Sequence, residues 1–225
     1  MKQFTLKQKV QHTHDVYELV FDAGQDITMQ PWQFVTFLIE KIWWRAYSIL
    51  KIVWNHVHIL LKKWELEHGG RGGSKYLCEM AIGNTLRWVG PSGHFVLSGQ
   101  DNNKLFLWTG TGFVPLYSQI IWALEQGYTS KLKLVLWVRT LKDVFYKEEL
   151  EAIQKAYTNF EFDIFLSQEH VQWFKNGYIT HVLDTETVSV FDEYYLCGAP
   201  KMLDSTVEKL ETLCVNKEKI FLEKY

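Results

Sequence analysis

A guanidinium, an aromatic ring and a hydroxyl stand close together in Arg45-Ala46-Tyr47-Ser48, inside the run Trp43-Trp44-Arg45-Ala46-Tyr47-Ser48-Ile49. Side chains on a strand repeat every second residue, and the three polar groups are expected to project to one face of an apolar strand. Such a face suits a flat, anionic ligand. Arg45 would pair bidentately with a phosphate, Tyr47 would lie against an aromatic ring system, and Ser48, near the strand end, would hydrogen-bond a ring heteroatom. Taken alone, the four residues are better explained as a half-buried barrel strand with a surface arginine.

Two glycine loops add to them. Gly72-Gly73-Ser74 at a helix start and Thr109-Gly110-Thr111-Gly112 after a strand both offer bare backbone N–H groups to a phosphate, aided by the helix dipole. Pro115 fits the first turn of the helix that follows the second loop. Neither loop is a Walker sequence, and the second lacks the third glycine of the dinucleotide fingerprint. Glycine-rich turns are commonly just turns. Two of them, one in each half of the chain, with Arg45 beside the first, point to two nucleotides meeting face to face.

The elements that must position these groups change character along the chain. Residues 3–22 alternate polar and apolar around a break at Thr13 to Asp15, which reads as an antiparallel hairpin. Strands are predicted over 33–40, 45–53, 56–66 and 85–89, with a short helix over 75–80. Closely spaced strands with almost no helix suggest a small antiparallel Greek-key β-barrel. The polar stretch Ser98-Gly99-Gln100-Asp101-Asn102-Asn103 reads as a linker. Beyond it, strands over 105–108, 132–138, 160–166, 194–196 and 220–222 alternate with helices over 114–126, 146–157 and 201–213. That rhythm implies an α/β domain with a parallel sheet covered on both faces, whose ligands bind beyond the carboxyl ends of the strands.

Composition narrows the function class. The chain has 225 residues, 47% hydrophobic and 22% charged, with net charge -2. A pI near 6.4 provides no basic field for nucleic acid or an anionic membrane surface. The N-terminal residues lack an apolar signal core and no apolar run approaches spanning length, so a cytoplasmic protein is expected. Cys78, Cys197 and Cys214 are too far apart for a disulfide framework, a zinc site or an iron-sulfur cluster, and the eight histidines are dispersed. No protein metal site is expected.

Four motifs in order resemble the ferredoxin-NADP reductase family of flavoproteins: Arg45-Ala46-Tyr47-Ser48, Gly90-Pro91-Ser92-Gly93-His94-Phe95, Gly110-Thr111-Gly112-Phe113-Val114-Pro115 and Cys197-Gly198-Ala199-Pro200-Lys201-Met202. The resemblance covers the whole chain. It implies an FAD-binding barrel domain over 1–99 and an NAD(P)H-binding α/β domain over 104–225. By that resemblance Arg45 holds the flavin phosphate, Tyr47 packs on the isoalloxazine and Ser48 hydrogen-bonds its N5. Gly72, Gly73 and Ser74 cradle the FAD diphosphate, and Thr109, Gly110, Thr111 and Gly112 the coenzyme. Cys197 and Gly198 flank nicotinamide C4, Ser48 and Glu223 handle the proton at N5, and Tyr225 covers the flavin. Cys197 is also explained as a small buried residue at a strand end, and Tyr225 as a frayed terminus.

Relatives that use NADPH often place an arginine after the serine of Ser167-Gln168-Glu169; here it is Gln168, which leans the reading towards NADH, while Arg139 remains available to a phosphate. The implied activity is hydride transfer from NAD(P)H to FAD N5, then electron transfer to ferredoxin, flavodoxin or an oxygenase component. The competing readings are a non-catalytic binding module of the same fold without flavin, and a subunit active only within a larger complex.

The ten tryptophans depart from this pattern. Trp32, Trp108 and Trp137 fall where the family commonly has glycine, and Trp43-Trp44, Trp54, Trp64 and Trp173 lie where tight bends are expected. Overpacking or strain of roughly 1 to 3 kcal/mol at each would together rival a domain's stability of roughly 5 to 15 kcal/mol. Many or all of them are expected to be UGA codons that the source reads as glycine, a reading that UGG codons would end.

Overall fold

The computed structural model describes residues 2–30, 32–40 and 42–224, apart from the side chains of His68 and Thr111. The chain forms two compact units, one of Met1–Val96 with Tyr117–Gln119, the other of Leu97–Leu116 with Ile120–Tyr225.

The first unit is a seven-stranded antiparallel sheet built from β1 (Gln3–Gln11), β2 (Val16–Asp22), β3 (Phe34–Ile39), β4 (Trp43–Ser48), β5 (Lys51–Val53), β6 (His56–Lys62) and β7 (Thr85–Ser92), in the order β4-β3-β7-β1-β2-β6-β5. The β1–β2 hairpin turns on Thr13, whose hydroxyl accepts from Val16 N at 3.1 Å and donates to Asp15 at 3.1 Å. Alternate residues of the strands face inward, so Phe4, Phe21, Phe37 and Trp88 meet in one aromatic core, with Phe4 and Trp88 stacked at 4.4 Å.

The single strand predicted over 45–53 is two. At Ile49-Leu50 the chain leaves β3 for β6: Ile49 N donates to Gln33 O at 3.0 Å and Leu50 N to His58 O at 2.9 Å. This step joins the two ends of the sheet order and curls the sheet into a barrel. The strand predicted to reach residue 66 stops at Lys62, and the one predicted to end at 89 continues as β7 to Ser92. Helix α1 (Gly73–Glu79) starts two residues before the predicted 75. Its last carbonyls are satisfied from afar, because Lys9 Nζ donates to Cys78 O and Met80 O, both at 3.0 Å.

The second unit is a six-stranded parallel sheet of β8 (Lys104–Thr109), β9 (Leu132–Val138), β10 (Phe160–Leu166), β11 (Lys175–Asn176), β12 (Glu193–Gly198) and β13 (Ile220–Lys224), in the order β11-β10-β9-β8-β12-β13. Helices α2 (Phe113–Glu125), α3 (Lys147–Ala156), α4 (Thr185–Val190) and α5 (Pro200–Thr212) connect the strands. Every residue of β8 and β12 is buried, as the apolar runs of a covered parallel sheet require. The order reverses between β8 and β12, which places the ligand crevice of such a sheet at their carboxyl ends.

The stretch 98–103 has no regular structure, but it is no slack tether. Ser98 Oγ donates to Glu193, the Asp101 carboxylate accepts from Thr129 N and Ser130 N, and Asn103 Nδ2 donates to Val190 O at 2.8 Å. Fully buried Lys104 lies 3.4 Å from Glu193. Burial works to protonate Glu193, yet hydrogen bonds from Ser98, Asn102 and Tyr195 hold its pKa below the ordinary glutamate value. The polarity that reads as a linker is therefore spent on closing the amino end of the second sheet.

The tryptophans divide. Trp88 and Trp108 are buried, with Trp108 on Phe113 and Phe145, while Trp122 packs on Tyr128 and Trp137 on Tyr178. Packing is incomplete at two of them, where Trp88 Nε1 and Trp137 Nε1 are buried with no hydrogen-bond partner among the described residues.

Candidate functional site

In the first unit, β4 and the start of α1 meet. A methyl group added at Gly73 would lie 2.6 Å from Tyr47 Oη and 2.9 Å from Arg45 Cγ, so any larger residue there obliges these two side chains to move. Gly72 takes φ 81, and Ser74 Oγ accepts from Trp64 N at 3.0 Å, keeping its proton for another acceptor. Arg45 Nη1 donates to Trp44 O at 2.9 Å, but Arg45 Nε is buried with no partner among the described residues. A buried guanidinium N–H without an acceptor costs free energy unless something anionic fills the place. Burial pushes the Tyr47 phenol pKa well above its usual value, so it stays protonated.

One expectation is corrected here. Arg45 and Tyr47 pair with Phe37 and Val35 and share a face, whereas Ala46 and Ser48 pair with Thr36 and Phe34 and take the other. Ser48 is one residue beyond Tyr47, an odd step that period-two spacing sends across the sheet.

In the second unit, Thr109 ends β8, Gly110–Gly112 form a short 3-10 turn, and α2 follows. A methyl at Gly112 would run into Cys197 O, with Cys197 C at 2.5 Å and Gly198 N at 2.9 Å. One at Gly198, φ 152, would meet Thr109 Cγ2 at 2.6 Å. The loop after β8 and the end of β12 thus touch backbone to backbone. Trp108 Nε1 donates to Gly110 O, and Thr109 Oγ1 to Trp137 O at 3.3 Å. The loops after β9 and β10 are zipped together as well: Gln168 N donates to Arg139 O at 2.9 Å and Leu141 N to Glu169 Oε2 at 2.8 Å, with Arg139 and Gln168 both exposed.

Cys197 and Glu223 are Cα partners on β12 and β13. Glu223 Oε2 is buried without a partner among the described residues, and burial alone raises its pKa. A carboxyl with a folded pKa above its unfolded value costs nothing below about 4.5 and destabilises the fold as pH rises through the folded value. Glu223→Gln is therefore expected to raise Tm at neutral pH and to leave it unchanged in acid, read by thermal unfolding across pH. Tyr225 lies outside the described residues. The sequence did not signal Lys9 or the Trp137–Tyr178 pair, with ring centroids 5.6 Å apart, because neither a strand lysine nor an isolated aromatic marks its partner.

The oxidoreductase NAD-binding domain model matches residues 106–208. Ferredoxin--NADP reductase B of Sorangium cellulosum is 32% identical over 192 residues, covering 80% of this chain and 78% of the relative. The chain belongs to the ferredoxin-NADP reductase family. The propane 2-monooxygenase reductase component of Rhodococcus jostii is 29% identical over 179 residues, or 76% of the chain, which spans only 48% of that relative's length. The FAD/NAD-binding domain of a nitric oxide dioxygenase from Vibrio cholerae superposes over 100% of the chain and 98% of its own, with TM-score 0.85 and 17% identity. That likeness extends the two-sheet reductase fold to the whole chain. Among the described residues no helix is long and apolar enough to cross a membrane.

Proposed function

We propose that the chain is the FAD- and NAD(P)H-binding part of a flavoprotein reductase. It takes hydride from a reduced nicotinamide coenzyme, NADH in preference to NADPH, and passes electrons to a protein acceptor such as ferredoxin, flavodoxin or an oxygenase component. The observation that carries this reading is the cradle where Gly73 abuts Arg45 and Tyr47, the buried Arg45 Nε having no partner among the described residues. FAD, when bound, supplies a ring that accepts a hydride and gives up its electrons singly or in pairs.

The chain's own residues hold and orient. Arg45, the Gly72 and Gly73 N–H groups and the free proton of Ser74 bind the flavin's diphosphate, and Tyr47 walls its ring side. Ser48, on the opposite strand face, is left to meet the ring from the strand end. Thr109, Gly110, Thr111 and Gly112 cradle the coenzyme diphosphate at the carboxyl end of β8, and Cys197 and Gly198 border the nicotinamide. Glu223, with its raised pKa, holds a proton at higher pH than an ordinary glutamate and serves as the local acid. Residues 1–99 and 104–225 are the two binding domains. Catalysis of this kind is mainly positioning.

Arg139 and Gln168 border the place of the coenzyme's adenine ribose. A planar guanidinium at 168 would pair with a 2'-phosphate, an interaction worth roughly 1.5 to 3 kcal/mol. Gln168→Arg is expected to raise kcat/KM for NADPH by roughly 10- to 100-fold while NADH changes little. Equal effects on both coenzymes would remove residue 168 from the specificity site.

The decisive experiment is the anaerobic visible spectrum of the purified chain before and after NADH and then NADPH. A flavin spectrum that bleaches is the expected result. A colourless protein, or bound flavin that neither coenzyme bleaches, overturns the proposal. A second reading, a donor that works only inside a larger protein, is favoured by the 48% coverage of the monooxygenase component. Turnover of the isolated chain with an artificial acceptor excludes it.

A further inference from the structure

We infer that the protein at work in its source carries glycine where the sequence has Trp43, Trp54 and Trp173, these three being codons that the source reads as glycine. Five non-glycine residues have positive φ among the described residues: Trp43 at 68°, Trp54 at 60°, Tyr146 at 61°, Trp173 at 80° and Cys214 at 62°. Tryptophan is ten of 225 residues yet takes three of these five places, which composition does not explain.

Each of the three stands in a different kind of turn, at the place where that turn asks for glycine. Val53 and His56 are Cα partners, so β5 and β6 are joined by the two-residue loop Trp54-Asn55. Both turn types that close such loops require positive φ at the first position, and Gly-Asn is a usual pair there. Phe174 N donates to Val171 O at 3.2 Å, closing a turn with Trp173 third. A φ near +80° at the third residue defines the type II turn, whose third residue is glycine or asparagine. Ile39 and Trp43 are Cα partners, and Trp43 is where the β3–β4 loop re-enters its strand, the left-handed place that glycine fills when a hairpin loop closes on a bulge.

Nothing in the fold compensates the tryptophans. Their residues are 75%, 88% and 90% exposed, so the indoles bury almost no surface. Tyr146 differs: it is buried and packs edge-on against Phe113, which offsets its backbone cost. A coding table that reads UGA as tryptophan, applied to a source that reads it as glycine, writes an indole into a glycine turn in just this way. The buried Trp88 and Trp108 have negative φ and packed partners, and the inference does not extend to them.

Two measurements test it. The gene is expected to have UGA at all three codons, and peptides of the protein purified from its source are expected to have the mass of glycine at 43, 54 and 173. A UGG codon, or a tryptophan-bearing peptide, at any of the three overturns the inference. Independently, the triple variant Trp43→Gly, Trp54→Gly, Trp173→Gly is expected to melt roughly 5 to 10 °C above a triple alanine variant, because both remove the indoles and only one relieves the left-handed backbone. Equal melting temperatures of the two triples overturn it as well.

Discussion

Arg45→Leu is expected to give a colourless protein that folds at least as well as the parent. The two halves of that result separate a cofactor ligand from a structural residue. Among the described residues Arg45 makes one side-chain hydrogen bond, from Nη1 to Trp44 O, and leaves Nε buried and unpartnered. Leucine removes a desolvated N–H that has no partner among the described residues, so the unliganded fold loses little and can gain. The flavin loses a charged, forked partner for its diphosphate. At roughly 3 kcal/mol for a pair of charge-assisted hydrogen bonds, retention falls by about 100-fold. Arg45→Lys keeps the charge without the fork and is expected to fall between the two. Flavin released per mole of protein, with Tm of the flavin-free forms, reads both halves. A variant that keeps its flavin, or loses its fold along with it, would return Arg45 to the role of a barrel strand residue.

Gly112→Ala is expected to abolish reduction by NADH while the flavin stays bound. The added methyl collides with backbone atoms, the Cys197 carbonyl and Gly198 N, and backbone cannot swing aside as the tip of a side chain can. The end of β12 and the turn after β8 must part. Overpacking of this kind costs roughly 1 to 3 kcal/mol, and a displacement near 1 Å of groups that position a substrate costs about 100-fold in rate. The proposed flavin cradle is made by β4 and α1, which take no part in the collision. Stopped-flow reduction of the purified variant reads the loss, and its absorbance at the start reads flavin content. Unaltered reduction would show that coenzyme does not bind at this turn.

Much of the fold was legible because burial writes itself into spacing. Alternation in 3–22, the apolar run at 105–108 and the run at 132–138, broken only by Lys133, imply an antiparallel and a parallel sheet. The break at Ile49-Leu50 was not, since two apolar residues continue the run and neither glycine nor proline marks the exit. Strand β11 has two residues and α4 has six, too few for a period to show. Within the site, the motifs located Arg45, Gly73, Gly112 and Cys197 along the chain, but that Gly73 touches Tyr47 and Gly112 touches Cys197 follows from the tertiary fold. The face of Ser48 was readable and misread: positions 45 and 47 share parity, and 48 does not.

The lysine clasp ties the carboxyl end of α1 to the first strand of its sheet. Lys9 reaches carbonyls about seventy residues later in the chain, and β1, which carries it, also pairs with β7 at Gln3 and Arg87. The first strand therefore waits for the last strand of its sheet before its hydrogen bonds are complete, and pairings so distant in sequence close slowly. The β8-α2-β9 crossover of the second sheet, by contrast, closes over about thirty residues. By sequence separation, the proposed flavin cradle rests on long-range pairings and the proposed coenzyme turn on short local ones.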